Sequence, residues 1–171
     1  MTNLYLFHGG APGLKVGDRV LPPTETRVKS QALAASLELG FGKIAQQLDK
    51  VYMTTDVKLA RAYAGMWTDP ASASSPAGGG VVYRVEVEDG TLEADKDLLS
   101  SPGVSYQASS AVVVDIQYSY VAFDKEEITT TLNRVLSAHE VNVADKAKQA
   151  TESPAVSSPA GSSFFRPIPS S

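Results

Sequence analysis

The sequence predicts an α+β domain, and three observations carry that prediction. Residues 81–87 (VVYRVEV) alternate like a strand, and the stretch 111–121 is a second long β-rich run. Residues 57–66 and 124–136 place apolar side chains at helical spacing instead. The order of elements is strand, helices, strand, helix, mostly strands, then helix, without the regular alternation of a doubly wound parallel sheet. With 171 residues, the chain is long enough for one domain with a buried core.

Each element has a local reason. Leu4-Tyr5-Leu6-Phe7 is a short apolar run ended by Gly9-Gly10, which predicts a buried strand entering a turn. Residues 11–23 are turn-rich, with Pro12, Gly13, Gly17, Pro22 and Pro23. From Thr24, Val28, Leu33, Leu37, Ile44 and Leu48 recur at helix-compatible spacings, and Gly40 and Gly42 divide the region into two short helices. Val51-Tyr52-Met53-Thr54 reads as a strand. Thr55 or Asp56 can cap the next helix, in which Leu59, Ala62, Tyr63 and Met66 share a face. Residues 69–80 (DPASASSPAGGG) read as a surface loop. Its three glycines are no phosphate cradle, because a P-loop needs a helix opened by Lys-Ser/Thr and a strand follows instead. In that strand Val81, Tyr83, Val85 and Val87 lie on one side. Asp124 caps the last helix with Glu127 reaching back in a capping box, and Ile128, Leu132, Val135 and Leu136 form a stripe that packs on the body.

Composition excludes several chemistries. Fifteen Lys+Arg against 19 Asp+Glu give a net charge of −4, so no strong basic field draws the chain to nucleic acid or an anionic membrane. With no cysteine there is no disulfide, thiolate nucleophile or thiolate metal site. Two histidines, His8 and His139, are too few for a multi-histidine metal centre. No run approaches the ~18 apolar residues of a membrane span, and MTNLYLFHGG does not read as a signal peptide. A soluble, cytoplasmic protein is expected. Composition shifts near residue 150, which divides the chain into a domain over 1–149 and a Ser/Pro-rich tail over 150–171, expected to be disordered. Within the tail, Phe164, Phe165 and Arg166 precede Pro167-Ile168-Pro169. They are either a greasy end or a short peptide that docks on a protein assembly.

Three places put polar groups at the ends of apolar strands. His8 is followed by two glycines, leaving bare backbone beside an imidazole. Alone, such a histidine is more often an ordinary partly buried residue. Tyr52 lies in a strand and Tyr63 in the next helix, so both rings either border one cleft or fill the core. An acidic stretch, Glu86 to Asp97, follows the clearest strand and alone reads as solvated surface.

Together, and in this order, the three form the H-Y-D/E pattern of ADP-ribosyltransferases. FHGGAPGLKVGDRVLPP resembles the HGT…LKxGDxLxPG opening of rifamycin ADP-ribosyltransferases, and KVYMTTDVKLARAYA, VVYRVEVEDGTLEADKD and SYQ follow in the same order. The resemblance covers residues 4–121. It implies an ADP-ribosyltransferase-like split β-sheet core with flanking helices, and NAD⁺ as co-substrate with no metal. Carried over by position, it implies that His8 holds a ribose hydroxyl and the Gly9 backbone the nicotinamide carboxamide. Tyr52 packs on the nicotinamide ring, Tyr63 bounds the same pocket, and Asp95 is the acid. Glu93 and Asp97 remain rivals for that last role.

The implied activity is transfer of ADP-ribose to a rifamycin-type antibiotic or a protein, with release of nicotinamide. The implied chemistry suits these residue types. Cleaving nicotinamide from ribose develops an oxocarbenium-like sugar that a fixed carboxylate stabilises. Two departures stand out. Gly10 replaces the family's Thr, and residues 101–110 (SPGVSYQASS) replace an arginine-rich NPTRSYRSREP stretch, leaving Lys15, Arg19 or Lys96 to compensate. The alternative is a protein of the same fold without activity, for example a virion component, docking through its tail.

Overall fold

The computed structural model describes residues 4–27, 47–71, 76–88, 90–95 and 103–135. Among the described residues there are seven strands: β1 (Leu6–Gly10), β2 (Arg19–Val20), β3 (Val51–Thr54), β4 (Gly78–Glu86), β5 (Glu93–Ala94), β6 (Ser105–Ala108) and β7 (Ala111–Ala122). They form one sheet with the order β2-β7-β4-β1-β3-β6-β5, and every pairing is antiparallel. Among the described residues the helices are α1 (Pro23–Thr26), α2 (Val57–Gly65) and α3, which covers 125–135. The mixed α and β content agrees with the sequence reading. Among the described residues no helix is long and apolar enough to cross a membrane.

The sheet has an apolar cluster on each face. On one face Leu6, Val51, Met53, Val81, Tyr83, Val85, Ala108 and Val113 pack together, closed by Leu14, Leu92 and Tyr106. On the other, α2 lies across β1 and β4, with Ala60, Ala64, Val82 and Val121 in contact. Ile128, Leu132 and Val135 of α3 then pack on Leu59, Ala62 and Met66 of α2, as the predicted stripes require.

α2 starts where the sequence places it. The Asp56 carboxylate accepts from the amides of Lys58 (2.9 Å) and Leu59 (3.4 Å), satisfying two donors of the first turn. Burial alone would raise the Asp56 pKa. The hydrogen bond from Arg134 and those two amides outweigh it and hold the carboxyl below its ordinary value.

Four local expectations are corrected. β1 does not turn at Gly9-Gly10 but runs through both glycines, and Gly78–Gly80 open β4 instead of closing a loop. The reason is close approach. A Cβ at Gly9 would stand 1.9 Å from the Ala60 carbonyl oxygen, and one at Gly80 would stand 2.2 Å from that of Ala64. The glycines form the floor on which α2 rests. Third, α1 begins at Pro23, ahead of Thr24, and Leu48 sits exposed in a turn closed by the Lys50 amide on the Gln47 carbonyl, 3.2 Å. Fourth, the capping box is half made. Asp124 accepts from the amides of Glu126 and Glu127, both 3.0 Å, but the Glu127 carboxylate is taken by Arg61 through bonds of 3.0 and 3.1 Å. The Arg61 guanidinium also lies 4.8 Å from the centre of the Tyr118 ring, clamping α2, α3 and β7 together. Val28, Leu33, Leu37, Gly40, Gly42, Ile44, Lys96, Asp97, Leu136, His139 and the tail with Phe164, Phe165 and Arg166 lie outside the described residues.

Candidate functional site

The sheet is thinnest between β1 and β3. Among the described residues these strands share one register pair, Phe7 with Thr54, whereas β1 pairs with β4 at five positions and β3 with β6 at four. No further register pair joins β1 to β3 among the described residues, which leaves a seam there.

His8 stands at this seam. Its Nδ1 lies 2.9 Å from the Tyr52 carbonyl oxygen. A carbonyl only accepts, so Nδ1 carries the proton and Nε2 keeps a free lone pair. Burial pushes the His8 pKa below its ordinary value, and the Tyr52 carbonyl offsets only part of that, so the ring is neutral near pH 7. Gly10 explains why Nε2 stays open, since a Cβ there would come within 2.8 Å of it. The departure from the family's Thr at this position thus has a local steric consequence. The pleat directs the His8 side chain to the side of Tyr83, its partner in β4, and away from the side of Phe7 and Thr54. His8 therefore meets Tyr52 through the main chain and not ring to ring.

A second group gathers across β3, β6 and β5. Directly opposed residues of an antiparallel ladder share a face. Tyr52 pairs with Gln107, which pairs with Glu93. Thr54 pairs with Ser105, and the Asp95 amide continues the ladder by donating to the Ser105 carbonyl at 3.1 Å. Two parallel polar rows result, Tyr52–Gln107–Glu93 and Thr54–Ser105–Asp95.

Asp95 is 4% exposed and accepts from the Ser105 hydroxyl at 2.6 Å. Glu93 differs: it is exposed, accepts from Gln107 Nε2 at 3.2 Å, and has Lys50 Nζ at 3.9 Å. Tyr63, on α2, has its pKa pushed up to about 12, first by burial and then by the negative charge of Asp95. The Tyr63 phenol thus stays protonated beside the carboxylate. The Tyr52 hydroxyl accepts from the Gln47 amide at 2.6 Å, which pins the ring.

The structure thus groups Asp95 with Tyr63 and Ser105 and puts Tyr52 in the adjacent row, but it sets the His8 side chain on the opposite face, tied to Tyr52 only through the main-chain carbonyl. Gly9 is pressed against Ala60 on one side, leaving its backbone at the seam. Among the basic residues expected to replace the missing arginines, Arg19 is bound to Glu88 at 2.9 Å. Ser105 and Gln107 enter the sequence reading only within the SYQ match and carry no site signal of their own, because SYQA is too short and too polar to register as a buried strand. Among the described residues no group of three or more His, Cys, Asp or Glu is placed to hold a metal ion.

Chemically, the polar face offers carboxylate and carbonyl acceptors beside two phenol rings. No protein-family model matches the chain, and no curated protein matches it.

Proposed function

We propose that this protein has an ADP-ribosyltransferase-like fold and transfers ADP-ribose from NAD⁺ to an acceptor, releasing nicotinamide. The supporting observation is the pairing of a seam with a buried acid. A neutral His8 bound to the Tyr52 carbonyl stands where β1 and β3 part. Asp95 is held by Ser105 beside Tyr63, one row from Tyr52.

In this reading the nicotinamide ring lies against Tyr52 with Tyr63 bounding its pocket, and the Gly9 backbone takes its carboxamide. The ribose hydroxyl that the resemblance gives to His8 Nε2 reaches it only across the seam between β1 and β3, because the His8 ring lies on the other face of the sheet from Tyr52. The bond between the nicotinamide nitrogen and the ribose C1′ breaks, and its electron pair leaves with nicotinamide. Positive charge develops on the sugar, where the Asp95 carboxylate stabilises it and holds the 2′-hydroxyl. The acceptor oxygen or nitrogen then bonds to C1′ and loses its proton to solvent. Ser105 acts through Asp95 as a positioning residue.

The acceptor is a rifamycin-type antibiotic or a protein. The absence of the arginine-rich stretch weighs against carrying over the antibiotic by resemblance alone. The test is incubation of the full chain with NAD⁺ and either rifampicin or a cell lysate, read by mass spectrometry. Free nicotinamide with an acceptor heavier by one ADP-ribose supports the reading. Folded protein that releases no nicotinamide in either mixture overturns it, in favour of an inactive fold that docks through its tail.

A further inference from the structure

Gln107 carries an unsatisfied polar atom. Its side chain is wholly buried, at 0% exposure, and its Oε1 has no hydrogen-bond partner. An acceptor left in this condition costs stability comparable to a lost hydrogen bond, so it calls for a specific reason. The amide orientation is not arbitrary. Nε2 donates to Glu93 Oε2 at 3.2 Å, and turning the amide over would set its oxygen against a carboxylate. Oε1 is therefore fixed as a free acceptor.

Its position in the sheet says what it faces. Gln107 is directly opposite Tyr52 in β3 and Glu93 in β5, and Ser105, two residues before it on the same face, binds Asp95. A planar ring stacked on Tyr52 has its edge at the Gln107 amide. The donors on this face, Gln107 Nε2 and the Ser105 hydroxyl, are already taken by Glu93 and Asp95, and the unmet group is the acceptor Gln107 Oε1, so the matching ligand edge is a donor.

We infer that Gln107 Oε1 accepts a hydrogen bond from the carboxamide N–H of the bound nicotinamide, and so determines specificity for an amide-bearing ring. This rests on the NAD⁺ reading above. A primary carboxamide has two N–H groups, so it serves Gln107 and the Gly9 carbonyl together. Oε1 is closed off from solvent in the ligand-free protein, so binding must uncover it.

The test compares binding of NAD⁺ with that of its 3-acetylpyridine analogue, which keeps the ring and carbonyl but has a methyl group in place of the amide nitrogen. Calorimetry on the full chain measures both affinities in wild type, Gln107→Met and Gln107→Asn. Met fills similar volume without an acceptor, and Asn withdraws the amide by one methylene while keeping it polar. Wild type is expected to prefer NAD⁺ by roughly tenfold or more, as losing one bond to a buried acceptor implies. In either variant that folds, as judged by circular dichroism, the preference shrinks about tenfold. Wild type that binds NAD⁺ with no preference, or variants that keep the full preference, overturn the role of Gln107 and leave the NAD⁺ reading standing. Wild type that binds neither dinucleotide overturns both.

Discussion

Gly9 and Gly10 are adjacent in β1, yet the structure assigns them opposite sensitivities to an added methyl group. At Gly9 the new Cβ would lie 1.9 Å from the Ala60 carbonyl oxygen, against a floor of 3.0 Å for real contacts. The difference, 3.0 minus 1.9, means α2 must retreat by about 1.1 Å, and the obstacle is helix backbone, which has no rotamer to change. Overpacking of this kind costs about 3 kcal/mol, and the lost backbone freedom of the unfolded chain returns about 0.5–1 kcal/mol. Gly9→Ala is therefore destabilised by about 2 kcal/mol. At Gly10 the obstacle is the His8 ring at 2.8 Å, the end of a side chain that can swing aside. Losing its bond to the Tyr52 carbonyl costs about 1 kcal/mol, which the same entropic gain largely cancels. Gly10→Ala is expected within about 0.5 kcal/mol of wild type, but with the His8 ring displaced and nicotinamide release impaired. Urea denaturation followed by Trp67 fluorescence and circular dichroism measures both. An unchanged midpoint for Gly9→Ala, or a larger loss for Gly10→Ala, would refute this account of how α2 sits on the sheet.

Three further predictions follow from single groups. Asp56→Ala removes the cap of α2 and is expected to lower stability by about 1–2 kcal/mol, while Arg134→Ala, whose side chain is 54% exposed, changes it by less than about 0.5 kcal/mol in the same denaturation assay. His8 has a lowered pKa in the fold, so the unfolded chain binds its proton more readily. The His8 contribution is intact above about pH 6.5 and is lost as pH falls below 6.5 through the folded value, a slope that His8→Gln should flatten in midpoints measured between pH 7 and 5. Of the seven tyrosines, Tyr63 should ionise only near pH 12, so ultraviolet titration should show a late phase that Tyr63→Phe diminishes.

Much of the fold was legible because its signals are local. Alternation at Val81, Tyr83 and Val85 marked β4, the apolar run 111–121 marked β7, and Asp56 and Asp124 marked helix starts. What sequence could not convey depends on partners far along the chain. Gly9 and Gly80 look like turn residues until α2 is laid over them. Glu127 looks like a capping partner until Arg61, 66 residues away, takes its carboxylate. In the candidate site, His8, Tyr52, Tyr63 and Asp95 were readable only as a set and in order. The seam beside His8 arises from the single pair that joins β1 to β3, and the Ser105 bond to Asp95 and the orphaned Gln107 oxygen from the register of β3, β5 and β6, which three strands of four residues or fewer do not encode in their own composition.

The most direct test of the central claim is the rate of nicotinamide release from NAD⁺ by wild type and by Asp95→Asn, with both proteins shown to be folded. Asn keeps the shape and can still meet the Ser105 hydroxyl, but it brings no charge to the developing oxocarbenium. The account predicts measurable release by wild type and a loss of about 10²–10³-fold in the variant. Equal rates in the two proteins, or no release by wild type, would contradict it.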